Sequence, residues 1–98
     1  MTWNKEIENG VLTVYLYGSP DSESAEQALS EIGKAASGAQ QLVLDLKELR
    51  YVSSAVLRLI LKLSKKMKKK GGVTVSNANE SMMDVFRLTG FTDIMRID

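Results

Sequence analysis

Apolar residues recur along the chain with two periods, near two in some stretches and near 3.6 in others, and the changes of period mark the elements. Trp3, Lys5 and Ile7 alternate with Asn4, Glu6 and Glu8. Val11 to Tyr17 continues in the same style, with Leu12, Val14 and Leu16 on one side and Val11, Thr13, Tyr15 and Tyr17 on the other. Asn9-Gly10 lies between them and suits positive φ, so the stretch predicts a β-hairpin. Gly18-Ser19-Pro20-Asp21-Ser22 breaks the second strand, and its acidic and hydroxyl residues after the proline suit a helix N-terminus. Ala25, Ala28, Leu29, Ile32, Ala35 and Ala36 then mark the buried face of a first helix that ends near Gly38.

The densest signal runs from Gln41 to Gly72. Leu42-Val43-Leu44-Asp45-Leu46 is short, apolar and β-branched enough to predict a strand buried on both faces inside a parallel sheet, with Val43 and Leu44 both in the core. After a mixed turn, Val52, Val56, Leu59, Ile60, Leu63 and Met67 form a helical stripe that Gly71-Gly72 closes. Val73-Thr74-Val75 predicts a strand parallel to Leu42 to Leu46 through a right-handed crossover. Asn77 with Glu80 resembles a capping box, and Met82, Val85, Phe86 and Thr89 share one face of a third helix. Gly90-Phe91 reads as a glycine cap whose aromatic packs back, followed by a short extended or helical tail from Asp93 to Asp98. No repeat, linker or low-complexity segment interrupts this order. The expected fold is α/β, a small mixed β-sheet covered by helices in the order β-β-α-β-α-β-α, with residues 1–98 as one domain.

Composition narrows the chemistry. The 98 residues contain no cysteine and no histidine, which removes thiolate and imidazole catalysis and nearly every transition-metal site, so neither an enzyme nor a cofactor is expected. The formal charge of +1 does not suit a whole-domain polyanion binder, no apolar run is long enough to span a bilayer, and the first residues lack the order of a signal peptide. The expectation is a cytoplasmic domain with no nucleic-acid partner and no membrane insertion. Lys62, Lys65, Lys66, Lys68, Lys69 and Lys70 surround an apolar stripe without interleaved aromatics, as a solvated helix face does. Tyr15, Tyr17 and Tyr51 suit sheet and core-edge packing rather than catalysis, and nothing in the sequence brings Asp21 and Asp45 to a shared pocket.

One junction stands apart. Ser53-Ser54 falls where the central strand hands over to its helix, and either hydroxyl can cap the first turn, where unpartnered N–H groups and the helix dipole welcome negative charge. A phosphate suits that position.

These residues together resemble the STAS domain family of bacterial anti-sigma factor antagonists. Its pattern is an apolar strand ending Asp-Leu, a short turn, Asp-Ser-Ser/Thr-Gly-Leu, and a helix ending Gly-Gly. Leu44-Asp45-Leu46 matches the strand end, and that alignment puts Ser53 on the family's Asp, Ser54 on its phosphorylated Ser, Ala55 on the second hydroxyl residue, Val56 on the Gly and Leu57 on the Leu. Gly18-Ser19-Pro20-Asp21 similarly resembles the turn before the first helix, and Val85-Phe86-Arg87-Leu88-Thr89-Gly90-Phe91 the family's Leu-x-Leu-Thr-Gly-Leu segment. Ser53 keeps the capping oxygen but loses a carboxylate, Val56 puts a β-branched side chain where the family has glycine, and Arg58 projects a cation where the family tends to be small.

The resemblance implies a regulatory protein-interaction module. It would bind an anti-sigma factor with serine-kinase activity through Asp21, Ser22, Ser53, Ser54 and Arg58, be released by phosphorylation at Ser54, and be reset by a serine phosphatase. Nucleotide and metal would belong to those partners. The alternative is a constitutive STAS subunit of a transporter or sensory assembly that dispenses with phosphorylation. The oligomeric state stays open.

Overall fold

The computed structural model describes the chain apart from Met1, Ser19 and Pro20 and the side chains of Thr2 and Ser22. Strands β1 (Thr2–Glu8) and β2 (Val11–Tyr17) pair antiparallel, with Trp3 opposite Leu16 and Glu8 opposite Val11. Asn9 and Gly10 turn the hairpin at φ 52° and 80°, the positive values that the Asn-Gly pair accommodates. Helix α1 (Ser22–Ala36) leads to β3 (Gln41–Asp45), α2 (Ser54–Lys66) to β4 (Val73–Ser76), and α3 (Glu80–Thr89) through a 3₁₀ turn at Phe91–Asp93 to β5 (Arg96–Ile97). The five strands lie in the order β1-β2-β3-β4-β5, and every neighbouring pair after the hairpin is parallel.

That order governs the layering. Each parallel connection steps to the adjacent strand in the same direction, and right-handed crossovers of this kind stack all their helices on one face of the sheet. The side chains agree. Leu12, Val14 and Leu16 of β2, Leu42 and Leu44 of β3 and Val75 of β4 are fully buried, and the register sets Leu12 beside Leu42 and Leu44 beside Val75. Val11, Thr13, Tyr15 and Tyr17 of β2 and Gln41, Val43 and Asp45 of β3 are only partly buried on the opposite face. The central position of β3 between two parallel neighbours is as expected, but burial on both faces is not. Leu44 is core and Val43 is only partly buried, because no helix crosses to its side. Ile7 points to the core face yet stays 62% exposed, since β1 is the edge strand and nothing lies beyond it.

The helical stripes bury as their spacing dictates. Ala25, Ala28, Ile32 and Ala36 of α1 are buried, and three of these are small enough to let α1 lie close to its neighbours. Val56, Leu59, Ile60 and Leu63 of α2 join the same cluster with Met67, whereas Val52 before the helix is partly buried. Lys70 departs from the picture of a purely solvated lysine face. Its Nζ donates to the carbonyls of Ala36 at 3.4 Å and Ser37 at 2.6 Å, so it holds the last turn of α1, where carbonyls lack partners and a cation suits the dipole. Gly71 is required by a close approach: a Cβ there would stand 2.7 Å from the Gln40 carbonyl oxygen, which accepts the Gly71 N–H at the same distance.

At the far end of the sheet, Asn79 rather than Asn77 caps α3, accepting from the Met82 N–H at 2.8 Å. Asn77 is instead a positive-φ turn residue at 59°. Met82 and Phe86 are buried, Val85 is half-buried, and Thr89 lies outside with its hydroxyl donating to the Val85 carbonyl at 2.8 Å. Gly90 takes φ 78° and turns Phe91 back on Phe86, with ring centroids 6.0 Å apart. The tail then forms β5, a fifth strand added to the expected order.

Candidate functional site

All three helices start at the carboxyl ends of the parallel strands, the edge at which open α/β sheets gather their binding residues. Two ties draw the loops there together. Gly18, at φ 81°, forms a parallel bridge with Leu49, its N–H donating to Glu48 and its carbonyl accepting from the Arg50 N–H, both at 3.3 Å. The segment after β2 is thereby held against the loop that leads to α2. Asp45 makes the second tie: one carboxylate oxygen accepts the Lys47 N–H and the other the Asn77 side-chain amide, each at 2.9 Å, joining the loops after β3 and β4. Neither tie carries a sequence signal beyond a turn-forming residue, because each partner lies far along the chain.

Each helix brings its own cap. Asp21 accepts the Ser24 N–H at 2.8 Å while the Ser24 hydroxyl accepts the Asp21 N–H at 3.2 Å, a reciprocal capping box. The Ser24 N–H, with its hydroxyl acting in the same sense, holds the Asp21 carboxyl below its ordinary range. For α2 the cap is Ser53, whose half-buried hydroxyl accepts the Val56 N–H at 3.2 Å. Ser54 is therefore the first helical residue, exposed and free of the capping role. The first turns of α1 and α3 contain Glu23 and Glu80, while that of α2 contains no carboxylate. Its positive dipole end meets solvent uncompensated by its own side chains.

The first turns of α1 and α2 lie side by side. Ala25 and Leu29 face Ala55 and Leu59 across a cleft of about 20 Å³, room for little more than one water, rimmed by Glu26, Arg58 and Lys62. Of the residues expected to bind a partner, Asp21, Ser54 and Arg58 are exposed at this end and Ser53 is partly buried. Ser22 opens α1, its side chain lies outside the described residues, and so do Ser19 and Pro20 of the preceding turn. Val56 is 0% exposed and fills the core, so the β-branched side chain in place of glycine does not reach the surface.

Asp21 and Asp45, two carboxylates at this end of the sheet, have separate structural roles. Asp21 caps α1 and Asp45 pins two loops. Tyr15, on the open sheet face, has its phenol raised above the ordinary value by partial desolvation and by the neighbouring Glu6 carboxylate, which its hydroxyl meets at 3.3 Å. Tyr51 is 51% exposed rather than packed at the core edge. Among the described residues, no group of three His, Cys, Asp or Glu side chains could hold a metal ion, and no helix is long and apolar enough to cross a membrane.

Comparison with known proteins places this arrangement. A protein of Bordetella bronchiseptica named as an anti-sigma factor antagonist, BtrV, is 32% identical over 91 residues, covering 91% of this chain and 78% of its own length. The anti-sigma factor antagonist SpoIIAA in its unphosphorylated form superposes with a TM-score of 0.83 at 18% identity, over 99% of this chain and 88% of that one. The phosphorylated form of the Bacillus cell fate determinant SpoIIAA does so with a TM-score of 0.78 at 19% identity, over 99% and 91%. The sequence pattern of the STAS domain matches residues 2–98, and the chain belongs to that family.

Proposed function

We propose that this chain is an anti-sigma factor antagonist whose partner surface is the end of the sheet where α1 and α2 begin, and whose switch is Ser54. The observation that carries the reading is the division of labour between adjacent serines. Ser53 supplies the cap, which leaves the Ser54 hydroxyl exposed at the one helix N-terminus with no acidic residue in its first turn. A phosphate at that position meets free N–H groups and the positive end of the helix, so modification is compatible with the fold. The same dianion in a packed interface would have to be desolvated against the partner, which opposes binding. Kinship with BtrV and a fold shared with SpoIIAA, solved with and without phosphate, support the reading.

In this account the unmodified chain binds an anti-sigma factor with serine-kinase activity through Asp21, Ser22, Ser53, Ser54 and Arg58. Phosphorylation of Ser54 releases it, and a serine phosphatase restores binding. The chain supplies shape and a phosphoacceptor. Pull-down from native lysate with wild type, Ser54→Ala and Ser54→Asp tests this. Wild type and Ser54→Ala should recover the same partner, ATP should release only wild type, and Ser54→Asp should bind about a hundredfold more weakly. Equal recovery by all three, insensitive to ATP, would overturn the switch and leave a constitutive subunit.

A further inference from the structure

A concavity far larger than the cleft between α1 and α2 lies toward the other end of the molecule, where α2 contributes Leu61 to Lys65, about 10–16 Å along the helix from Ser54 at the helical rise per residue. It is a groove of about 620 Å³ between the last turns of α2 and the segment that leads into β5, within the range of small-molecule sites. Its composition is divided. Leu61, Ile94 and Met95 supply an aliphatic wall, and Ile94 leaves half of its surface exposed there. Lys65, Lys68 and Arg96 bring three cations to the same groove, and no Asp or Glu lines it. Arg96 is partly neutralised by Asp98, at 3.2 Å, whereas Lys65 and Lys68 make no ion pair among the described residues. The end of α2 carries the negative pole of the helix dipole, and these lysines more than offset it.

We infer that this groove binds a small anionic amphiphile, a monomeric acyl chain with a carboxylate or phosphate head. The cations select an anion. The wall selects an aliphatic tail, because the groove contains no aromatic side chain on which a nucleobase could stack. Gly71 and Gly72 border it without side chains of their own, and the close approach of Gly71 to Gln40 keeps that edge of the groove fixed. The site is separate from the Ser54 surface and does not depend on the reading given for it.

The test is a titration of the full chain with dodecanoate below its micelle concentration, followed by amide chemical shifts. Dodecyl phosphate serves as the second head group, and dodecanol, acetate and inorganic phosphate separate tail from charge. Saturable shifts at Leu61, Gly72, Ile94 and Met95 are expected with both amphiphiles and with none of the three controls. Replacing Lys65 and Lys68 together with glutamine should weaken binding by roughly tenfold, as should Ile94→Ser, while Lys69→Gln, outside the groove, should not. Melting curves of the free variants establish that each is folded. The inference is overturned by an absence of saturable shifts, by equal shifts from dodecanol, by loss of shift dispersion across the core, or by an equal effect of Lys69→Gln. Binding confined to anionic vesicles would also overturn it, since that indicates a lipid surface rather than a monomeric ligand.

Discussion

The hydroxyl of Ser53 accepts the N–H of Val56 at 3.2 Å, and this one bond separates two serines that are chemically alike and adjacent. It makes Ser53 a structural residue and leaves Ser54 to the surface. Ser53→Ala should cost roughly 1 kcal/mol of stability, as loss of an N-cap does, while Ser54→Ala should change it by no more than about 0.5 kcal/mol. Urea denaturation of the two variants beside wild type measures both. Equal losses would mean that the cap is shared.

Val56 shows how a departure from the family pattern is absorbed. It lies fully buried with Leu59 and Leu63 on the inner face of α2, so its branched side chain is core volume rather than an obstacle to docking. Val56→Gly should destabilise by at least about 2 kcal/mol, through the emptied volume and the helix penalty of glycine. Leu59→Ala and Leu63→Ala should each cost roughly 2–5 kcal/mol. If Val56→Gly proves neutral, the first turn of α2 is not packed as described.

The lysines of α2 and of the turn that follows it divide into one that is tied, Lys70 in the turn, and several that are not. Lys70→Met should destabilise by roughly 0.5–1 kcal/mol through the lost C-terminal cap of α1, with its carbonyls at Ala36 and Ser37 released. Replacing Lys65, Lys66, Lys68 and Lys69 together with glutamine should leave stability and the binding of the protein partner nearly unchanged, because exposed charges contribute little individually. Thermal melting of both variants checks the contrast.

Asp21 gives stability a defined pH dependence. Its folded-state pKa is lowered from 3.8, so the contribution of the charged cap is present above that value and is lost as pH falls through the lowered one. Asp21→Asn keeps a capping side chain that does not titrate. Its melting temperature should therefore fall less steeply than that of wild type on acidification below the ordinary carboxylate range, and parallel curves would contradict the cap.

Much of this architecture was legible because periodicity reports burial. Four strands and three helices announced themselves by alternation or by a 3.6-residue stripe, and Gly90-Phe91 by its cap. Strand β3 was harder: Val43 is as apolar as its neighbours, and only the strand order, which sends every helix to one face, leaves it partly buried. Two residues are too short for any period, so Arg96–Ile97 gave no strand signal. At the candidate site, Ser53 and Ser54 were marked by their position at a strand-to-helix junction, but which of them caps depends on the backbone entering α2. The ties from Gly18 to Glu48 and from Asp45 to Asn77 are tertiary contacts that no local pattern encodes.

If Ser54 is the switch proposed above, it accepts a phosphoryl group from a kinase present in the same cells. Intact-mass measurement of wild type and Ser54→Ala after incubation with ATP in native lysate tests it directly. Wild type should gain one phosphoryl group and Ser54→Ala none. An unmodified wild type, or the same gain on Ser54→Ala, would contradict the account.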